Sequence, residues 1–190
     1  MRIIGGKFKN RNFFLPKGTR ATQNLVRKAV FDILGQDLTG QSFLELFAGS
    51  GAVGLEAISR GASRVTFVEN DPGCAEVIDL NIQRLNIRPT DSYDESYYVL
   101  NTDAYISIKQ LAQFKKKFDI IFIDPPYGLD MAKKALKELS AYDIVHPDSI
   151  VVVQHDKYEI LPESEGRFFI DKQRRYGSTL LTFYLIGQAS

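Results

Sequence analysis

Short apolar runs alternate with amphipathic segments along most of the chain. After Gly40, the runs rich in Val, Ile, Leu and Phe are typical of buried strands, and segments with apolar residues at helical spacing lie between them. This pattern predicts strands at 42–47, 64–69, 97–100, 118–123, 149–154, 167–171 and 179–186. It predicts helices at 52–60, 72–86, 104–114 and 129–140. Such alternation favours the α/β class, with a doubly wound, mostly parallel sheet of seven strands.

The two ends of the chain depart from this pattern. The last two strands follow each other across KQRRYGS without a helix, so we expect an antiparallel hairpin at one edge of the sheet. The opening MRIIGGKFKNRNFFLP predicts two short strands around a Gly-Gly and Lys-Asn turn. Apolar residues then recur at helical spacing from Leu25 to Leu34. They predict an amphipathic helix capped by Thr22 or Asn24 and ended by Gly35.

The composition is that of an ordinary globular protein. The chain has 190 residues, of which 44% are hydrophobic and 25% charged. We expect one domain over 1–190, with an N-terminal extension at 1–40 and a core at 41–187. The single cysteine, Cys74, excludes an internal disulfide, and no apolar run approaches the roughly 18 residues of a membrane span. Because the basic N-terminus lacks a following apolar segment, we expect a cytoplasmic protein without a membrane partner.

The net charge of +1 conceals a strong asymmetry. Residues 1–31 carry eight basic side chains and no acidic one, whereas the rest of the chain has an acidic excess. Such an arm is either the footprint of a polyanion partner or a solvated basic flap. The interleaved Phe8, Phe13 and Phe14 suit stacking on bases, and equally suit packing of a small hairpin on the core. The residues of the arm expected to contact a nucleic acid are Arg2, Lys7, Lys9, Arg11, Arg20 and Thr22.

A glycine pattern in FLELFAGSGAVGLEA carries the first chemical signal. Gly49, Gly51 and Gly54 form G-x-G-x-x-G between a predicted strand and a predicted helix, where glycine allows a tight turn, a close ligand and close helix packing. Glu69 ends the next strand, 20 residues after Gly49. A carboxylate there accepts hydrogen bonds from both ribose hydroxyls of an adenosine-containing cofactor. The combination favours nucleoside binding over a purely structural turn.

Two further acids bear on which nucleoside binds. Glu45, inside the first strand, would repel a pyrophosphate, but it suits the methionine ammonium of S-adenosylmethionine, directly or through water. Asp103 follows a strand and is placed for the adenine amino group. Capping of the helix that begins at Ala104 is an equally good role for this side chain.

The stretch FIDPPYG ends a strand that is apolar on both faces. Pro125 has no N–H and Pro126 restricts the residue before it, so the chain leaves the sheet along one fixed path. Ligands of open α/β sheets bind at the carboxyl ends of the strands. Asp124 and the neighbouring carbonyls therefore form either a rigid, acceptor-rich wall with Tyr127 as an aromatic lid, or simply a turn that ends the strand.

Taken in order, FAGSGAVGLEA, VEN, NTDA and DPPY resemble the class I S-adenosylmethionine-dependent methyltransferases. DPPY resembles the branch that methylates exocyclic amines of bases. RIIGGKFKNR, TRATQNLVRKAVFDIL and the ending HDKYEILPE with RRYGSTLLTFY resemble the RsmD family, the bacterial 16S ribosomal RNA guanine-N2 methyltransferases, over nearly the whole chain. The chain departs from that family's usual proline at Ala21, and from its usual acids at Lys28 and near Gln154.

The resemblance implies a Rossmann-like fold, S-adenosylmethionine as cofactor, and a monomer that acts on 16S ribosomal RNA or the assembling small subunit. Asp124 and the carbonyl of Pro125 would accept the N–H bonds of a guanine amine, with Pro126 fixing them and Tyr127 stacking on the unpaired or flipped base. No metal is expected, because His146 and His155 lie far from any ligand pattern. The cofactor-binding residues implied are Glu45, Phe47, Gly49, Gly51, Gly54, Glu69, Asn70, Asp103 and Ala104.

Other functions stay open at this point. DPPY also serves adenine-N6 methylation of DNA, although groove readout usually needs more additional chain than residues 1–40 provide. Enzymes that methylate protein glutamine usually begin the motif with asparagine, which Asp124 is not. A nucleotide-binding dehydrogenase conflicts with Glu45 and DPPY. A non-catalytic nucleotide- or RNA-binding domain leaves the acceptor wall unexplained.

Overall fold

The structure, a computed structural model, describes residues 1–16, 24–87, 96–128 and 130–187. Its helices are α1 (Asn24–Leu34), α2 (Ala52–Ser59), α3 (Pro72–Arg84), α4 (Ala104–Gln113) and α5 (Met131–Ser140). Its strands are β1 (Ser42–Leu46), β2 (Arg64–Glu69), β3 (Ser96–Asn101), β4 (Phe118–Ile123), β5 (Val145–Asp156), β6 (Ser164–Glu165), β7 (Phe168–Tyr176) and β8 (Thr179–Ile186).

All eight strands form one sheet in the order β3-β2-β1-β4-β5-β8-β7-β6. Strands β1 to β5 run parallel, and β8 is antiparallel to both β5 and β7. The predicted α/β class, the mostly parallel sheet and the antiparallel C-terminal hairpin are confirmed. The sheet has one strand more than the seven expected, because the two-residue β6 pairs with the start of β7. Two residues are too few to leave a hydrophobic pattern in the sequence.

The central strands are apolar on both faces because helices cover both faces of the sheet. All five residues of β1 are buried, as are five of the six in β4. Phe43, Phe67 and Phe122 lie in the core beneath α1, α2 and α3. Leu44 and Ile121 lie in a second core beneath α4 and α5. The strand order places β1 and β4 side by side, with their carboxyl ends at the same edge of the sheet.

The C-terminal hairpin is longer than the hydrophobic pattern indicated. β7 continues to Tyr176, five residues beyond the predicted end, and only Gly177 and Ser178 remain as the turn. Beyond its pairing with β6 at residues 168–169, β7 has β8 as its partner. Such an edge segment tolerates polar side chains on both faces, so its sequence lacks the apolar pattern of a buried strand.

The first sixteen residues fold back on themselves, but they form one isolated bridge, between Arg2 and Asn12, where two short strands were expected. The backbone of Ile3 donates to the Arg11 carbonyl over 2.9 Å. Phe8 and Phe13 are buried in the core, whereas Phe14 is 48% exposed. Of the two roles left open for these rings, core packing is therefore observed for Phe8 and Phe13.

Helix α1 is held on the core by a buried ion cluster. Arg27 Nε lies 3.4 Å from Glu56 Oε2, and Arg60 Nη2 lies 3.0 Å from Glu56 Oε1. Burial lowers the pKa of Arg27 and raises the pKa of Glu56. Desolvation therefore disfavours the charged form of each side chain, and their ion pair counteracts this effect. Glu56 also accepts the Ile4 N–H over 3.0 Å. The cluster thus ties together the arm, α1 and α2. None of the helices in the described part of the chain has the length and apolar composition needed to cross a bilayer.

Candidate active site

The glycine loop and the DPPY segment lie next to each other. Leu46 pairs with Ile123 where the parallel strands β1 and β4 end, and the Asp124 N–H reaches the Leu46 carbonyl over 3.4 Å. The loop after β1 and the loop after β4 therefore leave the sheet from adjacent positions. Two motifs that are 75 residues apart in sequence form one site at the carboxyl edge, where open α/β sheets bind ligands.

Glycine is favoured at the three positions of the loop for different structural reasons. Gly49 has φ 54°, and a Cβ built there meets nothing within 4 Å, so the backbone faces open space. A Cβ on Gly54 would lie 2.3 Å from Phe67 Cε1, which means that α2 packs on β2 at glycine distance. Gly51 combines φ 70° with a tight contact to Phe67 at 3.1 Å. A ligand can thus approach at Gly49, while Gly54 serves packing.

Phe47, the first residue after β1, has φ 60°. A side chain with a Cβ in this left-handed region costs about 1–2 kcal/mol. Its ring contacts the Tyr105 ring edge-on, with 6.1 Å between centroids and 74° between planes. Strain of this kind is concentrated at sites that bind ligands, where the surrounding fold maintains it. The loop is therefore held in a defined shape before any ligand arrives.

Glu45 lies beneath the loop and is almost completely buried. Its two carboxylate oxygens accept the backbone N–H groups of Val53, over 3.2 Å, and Gly54, over 2.8 Å. Burial raises the pKa of Glu45 to about 8, and the negative charge of Asp124 acts in the same direction. At neutral pH the ligand-free carboxyl is therefore mostly protonated. Its proposed attraction for an ammonium stays a prediction, and the structure adds a second role, bracing the start of α2.

Glu69 connects two of the loops at this edge. Its Oε2 accepts the Gly49 N–H over 2.7 Å, and its Oε1 accepts the Asp71 N–H over 2.9 Å. The side chain is buried, whereas the neighbouring Asn70 is exposed. Glu69 is therefore bonded directly to the glycine loop, at the residue whose Cβ position faces open space. Binding to ribose itself stays a prediction.

Asp103 caps helix α4. Its Oδ1 accepts the N–H groups of Tyr105, over 2.8 Å, and Ile106, over 3.1 Å. Of the two roles left open for Asp103, capping is the one observed, and it uses one oxygen of the carboxylate. Ala104 is buried at the first position of the helix. Contact of Asp103 with an adenine amino group remains a prediction.

The solvent exposure of the DPPY residues varies along the segment. Asp124 is half-buried, Pro125 is buried and Pro126 is exposed. Tyr127 is 38% exposed, and its hydroxyl lies 2.8 Å from Thr179 Oγ1 on β8. The hydroxyl is thus anchored while the ring remains partly open, so the aromatic lid has a fixed direction.

Gln154 lies beside Asp124. Ile123 pairs with Val153, so residues 124 and 154 are the next positions along neighbouring strands. Gln154 is 6% exposed, and within the described residues its Oε1 is buried without a hydrogen-bond partner. The sequence singled it out only as a departure from the family pattern. Strand register, which periodicity does not reveal, places it next to the site.

Lys7, Lys9 and Arg11 of the basic arm lie away from this edge. Phe14, further along the arm, approaches the glycine loop, because the Asn81 side chain donates to the carbonyls of both Phe14, over 3.0 Å, and Ser50, over 3.4 Å. The Lys7 N–H donates to the Ser59 carbonyl over 2.6 Å, at the end of α2. Arg11 donates to the Leu85 carbonyl over 2.7 Å, just after α3. Helices that follow parallel strands end at the opposite edge of the sheet, so Lys7, Lys9 and Arg11 lie far from DPPY.

The other arm residues predicted to contact a nucleic acid are Arg2, Arg20 and Thr22. Arg2 is exposed, and its carbonyl accepts a hydrogen bond from the buried Arg27 over 2.6 Å. Arg20 and Thr22 lie outside the described residues. The role of the arm in RNA contact stays a prediction. The charge that the arm presents to solvent is nevertheless smaller than the count of basic residues implies, because Arg27 is buried against Glu56 and Lys28 pairs with Asp32 at 2.6 Å.

The histidines have different surroundings. Nε2 of the buried His155 lies 2.8 Å from Thr182 Oγ1, and burial lowers the pKa of His155. His146 is only half-buried, at the start of β5. No group of three or more His, Cys, Asp or Glu residues suited to a metal ion occurs among residues 1–16, 24–87, 96–128 and 130–187.

Comparison with known proteins agrees with this geometry. Residues 1–185 match the model of the family described as Conserved hypothetical protein 95. The YlbH protein of Bacillus subtilis is 31% identical over 186 residues, which cover 97% of this chain and 98% of that protein. The ribosomal RNA small subunit methyltransferase D of Haemophilus influenzae is 33% identical over 170 residues, covering 86% of this chain and 84% of that protein.

Among solved structures, the yhhF protein of Escherichia coli superposes with a TM-score of 0.85 at 25% identity. The superposition covers 100% of this chain and 99% of that one. The carboxyl edge of the sheet carries the glycine loop, Glu69 at the end of β2 and the DPPY segment. This arrangement is consistent with the similarity to these proteins. The chain belongs to the Conserved hypothetical protein 95 family, which is the RsmD family of class I S-adenosylmethionine-dependent methyltransferases.

Proposed function

We propose that the protein methylates the exocyclic N2 amine of a guanine in the 16S ribosomal RNA of the small subunit, with S-adenosylmethionine as methyl donor. The observation that carries the proposal is the adjacency of the two loops, fixed by the Asp124 N–H on the Leu46 carbonyl at 3.4 Å. An acceptor wall for an amine thus stands beside a loop suited to the cofactor. The name of the Haemophilus influenzae relative supports a ribosomal RNA as the substrate.

The residues at the loop fit the cofactor. Gly49 offers backbone in open space, and Glu69 stands against it with a carboxylate for the ribose hydroxyls. Asp103 and the buried Ala104 begin α4 at the neighbouring strand end, where the adenine would lie. Glu45, Phe47, Gly51 and Asn70 complete the proposed set, and Gly54 supports the loop through the packing of α2 on β2. When bound, S-adenosylmethionine supplies a methyl group on a sulfonium centre, which is open to attack by a nucleophile.

Asp124 and the carbonyl of Pro125 prepare the amine for that attack. The lone pair of a guanine amine is delocalised into the ring, which makes the nitrogen a weak nucleophile. Two acceptors for its N–H bonds favour a pyramidal nitrogen whose lone pair points away from the ring. Pro125 and Pro126 fix these acceptors in advance, so little reorganisation is needed during reaction. Holding the amine in line with the methyl group supplies up to about 7–11 kcal/mol of the barrier reduction.

Attack joins the nitrogen to the methyl carbon, and the carbon–sulfur bond breaks with its electron pair left on sulfur. The methylated nitrogen then carries a positive charge and loses one proton, to Asp124 or to water. Tyr127 stacks on the base, which must be unpaired or flipped out of its helix to enter. Its hydroxyl bond to Thr179 keeps the ring oriented for that contact.

The test is transfer of labelled methyl from S-adenosylmethionine to small subunits or 16S RNA that lack their native methylations, followed by nucleoside analysis. We expect label in N2-methylguanosine. Label in N6-methyladenosine, or transfer to DNA in a parallel reaction, would contradict the proposed base or substrate. Absence of transfer to any nucleic acid, with the cofactor bound, would contradict the proposed function as a whole.

A further inference from the structure

The hairpin of β7 and β8 reaches the same edge as the candidate active site. Thr179, the first residue of β8, pairs with Asp156, the last residue of β5. Because β8 runs against β5, the turn at residues 177–178 lies at the carboxyl edge, beside the loop after β5. The Lys157 N–H donates to the Ser178 carbonyl over 2.9 Å, which joins that loop to the turn.

Polar side-chain contacts hold the turn end of the hairpin. Tyr127 is bonded to Thr179, and Gln173 Nε2 donates to Thr182 Oγ1 over 2.8 Å. Thr182 in turn lies 2.8 Å from the Nε2 of His155. Since the His155 Nδ1 lies 3.1 Å from the Asp156 carbonyl, that nitrogen donates, and Nε2 accepts the threonine hydroxyl proton. The hairpin is therefore bonded to the DPPY segment and to the end of β5.

The tip carries basic side chains that lack acidic partners within the described residues. Arg174 and Arg175 are exposed, and their guanidinium groups donate to the carbonyls of Gln173 and Gly177. Lys157 Nζ lies 4.6 Å from the centre of the Tyr158 ring, which is 81% exposed. Lys172 differs, because it pairs with Asp171 at 2.9 Å.

Two acidic residues near the turn, Asp156 and Glu159, accept hydrogen bonds from backbone N–H groups. Asp156 accepts from Tyr158 over 2.9 Å, and Glu159 accepts from Lys133 over 3.1 Å. These bonds direct both carboxylates toward the backbone. Lys157, Arg174 and Arg175 therefore lie near the turn without an acidic partner among the described residues. Arg174 and Arg175 project from opposite faces of β7, because successive strand residues alternate, and the exposed Tyr158 ring lies against Lys157.

Strand register connects the tip to the amine site. Arg174 pairs with Leu181, and Leu181 pairs with Gln154, the neighbour of Asp124. Arg174 thus lies in the cross-sheet row of Asp124, three strand spacings away, or about 14 Å at roughly 4.8 Å each. An RNA strand with its target base at Asp124 and its backbone along this row would bring a phosphate close to the guanidinium.

We propose that Lys157, Arg174 and Arg175 form the surface that grips the RNA phosphates, with Tyr158 as a stacking platform for a base that flanks the target. This inference rests on the proposed function and deepens it. It assigns RNA contact to the hairpin, whereas the charge pattern of the sequence assigned it to the N-terminal arm. Phosphate contacts of this kind position the strand without reading its sequence.

Basic residues on an edge strand also have a simpler use. Charged side chains there prevent pairing with another sheet. This use explains Arg174 and Arg175 on β7, but it leaves Lys157 and the exposed Tyr158 unexplained, because they lie on the loop after β5. The two interpretations predict different behaviour on substitution.

The experiment compares two triple variants that lose the same charge. One carries Lys157→Ala, Arg174→Ala and Arg175→Ala. The control carries Lys7→Ala, Lys9→Ala and Lys116→Ala, all at exposed positions on chain segments of the opposite edge. Binding of labelled 16S RNA is measured over a range of salt concentrations in the presence of S-adenosylhomocysteine, and methyl transfer is measured in parallel. Cofactor affinity and thermal unfolding report on folding.

The hairpin variant is expected to bind RNA at least about tenfold more weakly and to raise KM more than it lowers kcat. The slope of log affinity against log salt should fall by about 0.7–0.9 for each phosphate that the variant no longer neutralises. The control variant should retain most of the affinity. Equal losses in both variants, or a loss in the control alone, would overturn the inference. Unchanged RNA binding with new self-association of the hairpin variant would assign the arginines to edge protection.

Failure of the proposed function looks different. Wild-type protein that binds cofactor but neither binds nor methylates RNA would remove the proposed function and this inference together. Wild-type protein that methylates RNA, with a hairpin variant indistinguishable from the control, would remove the inference alone. Tyr158→Ala and Tyr158→Phe separate stacking from charge, since only the alanine should weaken binding, by about 5- to 150-fold for one stacked base.

Discussion

The hydroxyl of Tyr127 lies 2.8 Å from Thr179 Oγ1, so the predicted aromatic lid of the candidate active site is bonded to the turn end of the C-terminal hairpin, 52 residues further along the chain. This bond makes the two proposed uses of Tyr127 separable. Tyr127→Phe removes the anchor and keeps the ring. Tyr127→Ala removes both.

The two substitutions should differ in size. Loss of one hydrogen bond, worth about 0.5–1.5 kcal/mol, should lower kcat/KM up to about tenfold in Tyr127→Phe. Loss of a stacked base, worth about 1–3 kcal/mol, should lower it further in Tyr127→Ala. Steady-state kinetics on RNA with Thr179→Val as the matched partner variant measures both. Equal effects of Phe and Ala would show that the ring does not stack on the substrate.

Asp124 should matter for chemistry and little for cofactor binding. Asp124→Ala removes the proposed acceptor of the amine, so turnover should fall by at least about a hundredfold. Asp124→Asn, which keeps one oxygen of similar size, should retain more activity than alanine. Single-turnover methyl transfer and calorimetric binding of S-adenosylhomocysteine measure the two properties. A large loss of cofactor affinity in the alanine variant would count against the assignment.

Glu45 should make cofactor affinity depend on pH. With its pKa raised to about 8 by burial, the ligand-free carboxyl is protonated below that pH. If the methionine ammonium favours the carboxylate, binding releases a proton, and affinity rises with pH until about pH 8 and then levels off. Glu45→Gln removes this titration but leaves the ammonium's own. The difference between the two proteins, measured by calorimetry from about pH 6 to 9, isolates the effect. Identical pH profiles would limit Glu45 to bracing α2.

The stability of the ligand-free protein should respond to the same group in the opposite sense. The folded protein holds the Glu45 proton more tightly than the unfolded chain does, because the folded pKa is raised. Its contribution to stability is therefore complete below the unfolded pKa of 4.5 and is lost as pH rises through about 8. Urea unfolding at about pH 6 and pH 9 should show a larger decrease for wild type than for Glu45→Gln.

Asn81 should be a strong anchor of the N-terminal arm. Its Oδ1 accepts the Phe14 N–H over 2.7 Å, and its Nδ2 donates to the Phe14 carbonyl over 3.0 Å. Asn81→Ala should lower the free energy of unfolding by about 1–3 kcal/mol, since a buried bonded side chain is removed. Asp79→Ala, at an exposed position of the same helix, is the control. Limited proteolysis should cut the arm sooner in the Asn81 variant only; equal cutting would contradict the anchoring role.

The buried ion cluster predicts a non-additive response. Glu56→Leu leaves Arg27 and Arg60 buried without their shared carboxylate, and should cost about 3–5 kcal/mol of stability. Arg27→Met should be costly for the same reason. The double variant should lose less than the two single losses combined, because Arg27 and Glu56 are removed together and only Arg60 is left without its carboxylate. Urea unfolding of the four proteins tests this cycle, and strict additivity would mean that the pair carries no coupling.

The site could be predicted from sequence where a motif is local. Gly49, Gly51 and Gly54 reveal a turn because glycine is needed at fixed spacing, and Asp124 to Tyr127 reveal a rigid exit from a strand. Their adjacency also followed from pattern, since parallel strands place their carboxyl ends at one edge. These features depend on a few neighbouring residues and on one general property of α/β sheets.

What the sequence did not reveal depends on partners far apart along the chain. Eight basic residues near the N-terminus indicated a basic surface, yet Arg27 is buried with Glu56 and Arg11 binds a carbonyl at the end of α3. A count of basic residues does not distinguish a side chain that faces solvent from one that is buried in an ion pair or bonded to a carbonyl at the end of a helix. The predicted end of β7 was five residues too early. An edge strand needs a backbone partner but no apolar face, so its full length leaves no hydrophobic pattern in the sequence.

The left-handed backbone of Phe47 marks a strained position at which substitution offers little gain in stability. Phe47→Gly would relieve the local strain, yet it would also let the loop sample other shapes and would remove the packing against Tyr105. The relief of strain would therefore be offset by the lost packing and by the added freedom of glycine in the unfolded chain. A laboratory search for heat-resistant variants should find its gains elsewhere in the chain, with this position left as it is.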